Sequence, residues 1–364
     1  MAKSGLDDVV AADTVLSDVD GQAGRLVIRG HSLDELAGRT RYEDVLSLLL
    51  EGFIPDLPSP DELPAALGAA RKAVFATLPS LDDRIFEAPT IEAVRALIAR
   101  LRDGDDVEIA LRLIAAPAVF TPAALRRRRG LEPVSPNASL THAADILRML
   151  DDAPASADRA AALDAYLVTV SDHGLNASTF AARVVASTRA GLTSATLAAI
   201  SALKGPLHGG APGPVLDALD SIGEPARAEA WLEDALEHGE RLMGFGHRVY
   251  RVRDPRADAL KNALRKLAER GAVDRSRVIL AEAVERAALS VLKRRKPDRP
   301  LDTNVEFYTA LLLEALGFPR EAFTCVFATG RVGGWIAHAR EQISEGRLMR
   351  PQSRYIGPTP QQAA

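Results

Sequence analysis

The sequence predicts an all-α protein, and three observations carry that prediction. Apolar residues recur at helical spacing in stretch after stretch, while alternating strand patterns are confined to the N-terminal region. Alanine is abundant and aromatics make up only 5% of the 364 residues, a composition suited to helices packed closely through small side chains. The length is enough to bury a large core, as one big domain or two modest ones.

Taken in order, Val15–Ser17 and Arg25–Ile28 flank Asp20-Gly21-Gln22-Ala23-Gly24 and read as a small β-hairpin, the one sheet expected. Thr40-Arg41-Tyr42-Glu43 reads as a capping box leading into Val45, Leu46, Leu48 and Leu49, and that helix stops before Pro55. Helical periods follow over Asp61–Phe75, Thr90–Leu101, Val107–Arg128, Leu140–Leu150, Arg159–Val170 and Asn176–Ala190. They continue over Leu192–Leu203, Arg227–His238, Pro255–Arg270, Arg275–Lys293, Val305–Leu316 and Arg320–Ile343. The Pro/Gln/Ala tail after Gly357 reads as disordered.

Charged residues are 26% of the chain and the net charge is −4, too small to draw nucleic acid or membrane to the whole surface. No run of eighteen apolar residues occurs and the acidic N-terminus lacks an apolar core, so neither a membrane span nor a secretory signal is expected, and a cytoplasmic location is. Cys325, the single cysteine, lies in the apolar run Phe323–Phe327 and reads as a buried, inert thiol. The basic runs Arg126–Arg129 and Lys293–Lys296 close helices and lack interleaved aromatics, so they read as solvated helix ends rather than base-stacking surfaces.

Chemistry concentrates in Met243–Ala257, where two glycines, a histidine and four arginines precede a helix start written by Asp254 as N-cap and Pro255 at the first helical position. Arg256 then sits at the positive end of a helix, where a carboxylate or phosphate is welcome. Taken alone, the stretch also fits a Gly-containing turn with solvated cations. A dinucleotide fingerprint is the weaker reading, since Val249 stands where its third glycine belongs. None of the seven histidines is paired at metal-ligand spacing, so no metal centre is expected. His173, His208 and His247 each adjoin a glycine, which lets a ring face a cavity while the backbone approaches a ligand.

Three segments in this chain, SDHGLNASTFAARVVAST from Ser171, GPLHGGA from Gly205 and GFGHRVYRVRDPRA from Gly244, together resemble the citrate synthase family. The resemblance covers nearly the whole chain, from LVIRGHSLDELAGRTRYEDVLSLLLEGFIP through RRGLEPVSPNASLTHAADILRML to GWIAHAREQ and RPQSRYIG. It implies a large helical domain formed by residues 1–212 and 322–364, a small domain at 213–321, and an intertwined homodimer with its active site in the interdomain cleft. It also implies condensation of acetyl-CoA with oxaloacetate and hydrolysis of the citryl thioester, a step of the tricarboxylic acid cycle. Acyl-CoA is then a co-substrate, with no permanently bound cofactor. A 2-methylcitrate synthase using propionyl-CoA, and a weakly active or non-catalytic CoA or dicarboxylate binder, are the alternatives.

Carried over by position, His208 resembles the donor that stabilises the enol oxygen, and His247 the donor to the ketone. Arg256, Arg331 and Arg350 resemble the carboxylate clamp, with Arg350 reaching from the neighbouring subunit, and His173 resembles a substrate-pocket histidine. Gly244, Phe245, Gly246 and Arg251 fall where the family meets CoA, and the Lys293–Lys296 run is a lesser candidate for a CoA phosphate. Three positions depart from the family pattern. Glu306 replaces the usual aspartate base, an extra methylene that shifts the carboxylate by about an ångström. It also completes a capping box, Thr303-Asn304-Val305-Glu306, that would turn the carboxylate back on Thr303. Val170 replaces a second substrate histidine, predicting weaker keto-acid binding, and Pro212 follows Gly210-Ala211 in place of an asparagine.

Overall fold

The computed structural model describes residues 9–78, 83–208, 212–247, 249–299 and 301–358. Among these, helices dominate as the composition predicts: α1 (Leu33–Leu36), α2 (Tyr42–Leu50), α3 (Leu63–Phe75), α4 (Thr90–Ile98), α5 (Val107–Arg128), α6 (His142–Asp151), α7 (Ala157–Val170) and α8 (Ala177–Ala186). They continue with α9 (Leu192–Leu203), α10 (Pro212–Ile222), α11 (Ala228–Glu237), α12 (Pro255–Glu269), α13 (Arg275–Arg295), α14 (Val305–Ala315) and α15 (Phe323–Glu345). Every helix expected from periodicity is present, α5 and α9 with the expected ends and the others with ends displaced by a few residues. Two were not foreseen. The single turn α1 is too short to carry a period, and α10 opens with Pro212-Gly213-Pro214, which reads as a loop.

The sheet has three strands, β1 (Ser17–Asp20), β2 (Arg25–Ile28) and β3 (His31–Ser32), antiparallel in that order. The first strand was expected at Val15–Ser17 and instead begins at Ser17. Asp20 Oδ1 accepts the amides of Gln22 and Ala23 at 3.0 and 2.9 Å, so the chain stays extended up to Asp20 and turns there. A similar slip affects α2. Its N-cap is Arg41 rather than Thr40, boxed with Asp44, while Glu43 turns into the core and accepts the His142 amide at 2.7 Å.

Helices α5 and α15 form the centre. α5 packs on α3, α4, α6, α9 and α15, and α15 also crosses α2, α7 and α8. By length and composition α5 could cross a membrane, but most of it is buried here, the usual state of a core helix apolar on all sides. Pro117 and Pro122 lie inside it; an interior proline costs about 3 kcal/mol, which its burial offsets. Cys325 is fully buried, as expected.

α13 packs on α10, α11 and α12, α10 also packs on α14, and α12 touches both α14 and α7. The N-termini of α12 and α14 thereby face the C-terminal end of α7. The two basic runs are not simply solvated. Arg126 donates to the Glu132 carbonyl, Arg127 pairs with Glu132, and Arg128 donates to the Ala88 carbonyl. Arg294 and Arg295 pair with Glu229, Glu233 and Glu237 of α11. Intramolecular partners occupy these cations.

Candidate active site

The loop carrying His247 lies flat against the start of α14. Gly246 donates to the Asp302 carbonyl at 2.7 Å, and Asn304 donates its amide to Gly244 O at 2.9 Å and its Nδ2 to Gly246 O at 2.7 Å. Both glycines have positive φ, +87° and +80°; a Cβ at Gly244 would stand 2.9 Å from the Phe307 ring, and one at Gly246 2.7 Å from Leu301. Only glycine permits this approach. These backbone groups therefore register the loop on α14, while Phe245 packs on Phe307 at 5.3 Å and lines a cavity of about 220 Å³ with Arg241, Met243 and Trp231.

Glu306 is not part of a capping box with Thr303. Asn304 is the N-cap, accepting the Glu306 amide at 3.0 Å, and Thr303 Oγ1 donates to Glu285 instead. Glu306 is one position too early in the helix to reach back to the cap. Its carboxylate has no hydrogen-bond or ion-pair partner among the described residues. Burial pushes its pKa up to about 7, against the pull of Arg256 and Arg241, with Asp254 adding to the rise.

His247 Nδ1 accepts the amides of Val249 and Tyr250 at 3.0 and 3.1 Å, which places the ring proton on Nε2. Nε2 lies 3.3 Å from Arg256 Nη2. Two donors so placed aim at a shared acceptor rather than at each other. Burial and then Arg256 lower the His247 pKa to about 4, so the ring is neutral at pH 7. Asp254 orients Arg256: one oxygen accepts its amide and Nε at 3.0 Å each, and the other accepts Nη2 at 2.8 Å and the Val305 amide at 3.1 Å. The residue expected as the cap of α12 also ties α12 to α14.

His173 follows the end of α7. Its ring meets His247 edge-on at 5.7 Å and its Nε2 lies 3.1 Å from Tyr250 Oη. Burial holds its pKa well below the usual range, with Arg256, Arg331, His247 and His208 acting in the same direction. Neighbouring Asp172 is fixed by Ser17 and, at 3.2 Å, by His338. His208 Nε2 lies 2.8 Å from Ser178 Oγ, itself 2.8 Å from Asn176 Oδ1 and 3.2 Å from Trp335 Nε1. Ser178 has one proton to give. Sent to His208, it puts the imidazole proton on Nδ1; sent to Asn176, it requires that proton on Nε2. Burial, then Arg331 and Arg256, lower the His208 pKa to about 4.

Arg331 projects from α15, donating Nε to the Val170 carbonyl and stacking on Phe327 at 4.8 Å. It is 1% exposed and its Nη2 has no partner among the described residues. Burial lowers its pKa to about 10. A buried guanidinium N–H without an acceptor is unfavourable, so the site is built to receive one.

His173, His208, His247, Glu306, Arg256 and Arg331 thus share one electrostatic neighbourhood, the Arg256 charge acting on every other member of it. Arg350 and Arg251 stand apart. Arg350 is exposed in the extended segment after α15, and Arg251 is exposed with its amide on the Gly21 carbonyl. Gly209, Gly210, Ala211 and Arg248 lie outside the described residues. No group of three His, Cys, Asp or Glu suited to a metal occurs among the described residues.

Sequence reasoning missed Tyr250, Ser178 and Asp172, whose partners are far away in the chain, and the capping role of Asn304. The last was legible, since asparagine caps helices at least as well as threonine. Neutral imidazole donors, two guanidiniums and a desolvated carboxylate without partners form a set that can take a proton from carbon beside a polarised carbonyl and hold an anionic co-substrate.

The family model for the citrate synthase C-terminal domain matches residues 5–352. A putative citrate synthase 2 of Mycobacterium tuberculosis is 39% identical, over 98% of this chain and 93% of its own length. The citrate synthase of Haloferax volcanii is 38% identical, over 98% and 96%. The crystal structure of citrate synthase from Thermotoga maritima superposes with a TM-score of 0.84 at 32% identity, covering 98% of this chain and 96% of that one. With the family model matched over residues 5–352 and relatives matched along 93% and 96% of their own length, the chain belongs to the citrate synthase family.

Proposed function

We propose that this protein condenses acetyl-CoA with oxaloacetate and hydrolyses the citryl thioester to citrate and CoA. The observation that carries the reading is Glu306, a desolvated carboxylate with no hydrogen-bond partner of its own, in the field of the same buried Arg256 that acts on the neutral His208 and His247. A base with a pKa near 7 is matched to proton abstraction at neutral pH.

In this mechanism Glu306 takes a methyl proton from the acyl thioester, and His208 donates a hydrogen bond to the enol oxygen. That requires Ser178 to give its proton to His208 Nε2, leaving Nδ1–H to face the substrate. The enol carbon attacks the ketone carbon of oxaloacetate, and His247 Nε2–H donates to the oxygen as negative charge develops there. Arg256 and Arg331 hold the carboxylates, with the unsatisfied Nη2 of Arg331 supplying a donor. His173 positions the ketone through its contact with His247. Water then cleaves the thioester and CoA leaves.

The exposed Arg350 fits a clamp residue that serves the neighbouring subunit of a homodimer. Residues 1–212 and 322–364 would form the large domain and 213–321 the small one, with the cleft between them. The acyl-CoA would pass the Gly244-Phe245-Gly246 wall, where the cavity beside Phe245 and Arg241 offers apolar surface and a cation, with Arg251 near the phosphates. No permanently bound cofactor is needed. The setting is the cytoplasm and the pathway the tricarboxylic acid cycle. Release of free CoA, measured with acetyl-CoA and with propionyl-CoA, each with and without oxaloacetate, tests the reading. The expected result is oxaloacetate-dependent release that is faster with acetyl-CoA. Preference for propionyl-CoA would move the assignment to 2-methylcitrate synthesis, and ligand binding without release would remove catalysis altogether.

A further inference from the structure

The N-terminal hairpin holds no reacting group, yet its two ends touch the two loops that carry His173 and His247. At its base, Ser17 Oγ donates to Asp172 and accepts the Gly174 amide at 2.9 Å, bracketing His173. At its tip, the Gly21 carbonyl accepts the Arg251 amide at 2.8 Å. A Cβ at Gly21 would stand 2.2 Å from the Val249 carbonyl oxygen and 2.7 Å from its carbon; one at Gly24 would stand 2.8 Å from Val252 Cγ2. The tip itself is stiffened by the Asp20 turn.

The segment pressed by Gly21 is the one that holds the His247 ring, since the amides of Val249 and Tyr250 both donate to Nδ1. Between base and tip runs β1, four extended residues that make a spacer of about 13 Å at 3.3 Å per residue. The rings held at the two ends meet edge-on at 5.7 Å. A shift of either loop is therefore a shift of one imidazole relative to the other.

We propose that the β1–β2 hairpin is a positioning element for the condensation, in which Ser17 and Gly21 fix the separation of the His173 and His247 loops and Gly21, through Val249–Arg251, fixes which nitrogen of His247 carries the proton. The proposal rests on the reading of His247 as the donor to the ketone. Its physical content is a lever. One added methyl at Gly21 must displace the Val249–Tyr250 peptide by about an ångström, and that peptide carries the Tyr250 amide, which with the Val249 amide keeps Nδ1 unprotonated. Misplacement of this size is worth about a hundredfold in rate.

The test uses the full chain labelled with ¹⁵N-histidine, the His247 signal being identified by its loss in His247→Gln. Gly21→Ala is expected to lower kcat about a hundredfold, change KM for acetyl-CoA less than threefold, and turn a single Nε2–H tautomer of His247 into a mixture. Ser17→Ala is expected to lower kcat about tenfold, and Gln22→Ala at the exposed tip to stay within twofold of the native protein. Should Gly21→Ala fail to fold, Asp20→Ala loosens the tip without adding an atom against Val249 and is expected to move the His247 tautomer the same way. A native tautomer spectrum and native kcat in Gly21→Ala, or in Asp20→Ala where that variant is used, overturn the proposal. If the native protein shows no condensation at all, the proposed reaction fails, and the ¹⁵N comparison still decides whether the hairpin sets His247.

Discussion

Two glutamates in one neighbourhood, Glu285 of α13 and Glu306 of α14, have opposite surroundings. One oxygen of Glu285 accepts Arg253 Nη1 and Thr303 Oγ1 at 2.9 Å each, and the other accepts Lys261 Nζ and Tyr308 Oη at 2.6 Å each. Burial opposes its charge, but Lys261, Tyr308 and Arg253 outweigh that and bring its pKa down to about 2. Glu306 accepts nothing, and burial, with a smaller push from Asp254, drives it up to about 7 against the pull of Arg256 and Arg241. Burial thus makes a carboxylate reactive only when donors are withheld. Glu285 bolts the loop at Arg253, the middle of α12 at Lys261 and the start of α14 to one point, and that bolt holds the backbone from which Glu306 projects.

The largest effect should separate these two by what they lose. Glu306→Gln should lower turnover at least about a hundredfold, the usual contribution of a positioned general base, with a thermal midpoint that does not fall. Glu285→Gln should instead lower stability by about 3 kcal/mol, since it leaves Arg253 and Lys261 facing a neutral amide. Steady-state rates and denaturant melts on both variants check the pair. A fully active Glu306→Gln would end the claim that this carboxylate is the base. Glu306→Asp, which restores the family's commoner side chain, should keep measurable activity.

A second comparison sets Arg331, buried and short of an acceptor, against Arg350, exposed and without a place in the site of its own chain. Both substitutions to alanine should weaken oxaloacetate binding by about 2–5 kcal/mol, the cost of underpairing a desolvated carboxylate, and leave acyl-CoA binding nearly unchanged. Calorimetric titration of each variant with each ligand reads this directly; equal loss for both ligands would remove the clamp role. The two should differ in a mixing experiment. Arg350→Ala combined with Glu306→Gln should recover activity on subunit exchange, because each heterodimer then contains one intact site. No recovery after confirmed exchange would place Arg350 in its own subunit.

Most of the fold was legible because it is written in local periodicity. Val107–Arg128 and Leu192–Leu203 have their expected ends, and even the two prolines of α5 do not alter the boundaries. Errors collect at helix starts, where two adjacent residues compete for the cap and tertiary partners decide. Thr40 lost to Arg41 because Glu43 is needed by the His142 amide, and Thr303 lost to Asn304 because Glu285 takes the threonine hydroxyl. In the site, the three glycine-flanked histidines and Arg256 were legible from their motifs. Ser178, Asp172 and Tyr250 were not, because what gives them meaning is a partner more than twenty residues distant, on His208, Ser17 and His173.

The smallest effect tests the cause of the Glu306 shift rather than its use. A carboxyl whose folded pKa is raised from 4.5 to about 7 binds protons in the folded state that the unfolded chain has released. It therefore contributes stability that is fully present below pH 4.5 and is lost as pH rises through about 7. Histidines 208 and 247 have the opposite sign: with folded pKa values near 4, they withdraw stability as pH falls from 6.5 toward 4. The histidines are common to both proteins, so their contribution cancels when Glu306→Gln is compared with the native chain. The stability difference between the two should move in favour of Glu306→Gln as pH rises from 4.5 to 7, then level off. In the same window kcat/KM should climb as the base ionises, with its acid limb near 7 absent of any histidine contribution. The kcat limb should lie higher, because bound oxaloacetate neutralises Arg256, which otherwise favours the ionised carboxylate. A stability difference that stays flat between pH 5 and 8 would mean that Glu306 titrates as an ordinary surface carboxylate, and the contrast with Glu285 would then reduce to one anchored side chain and one free one.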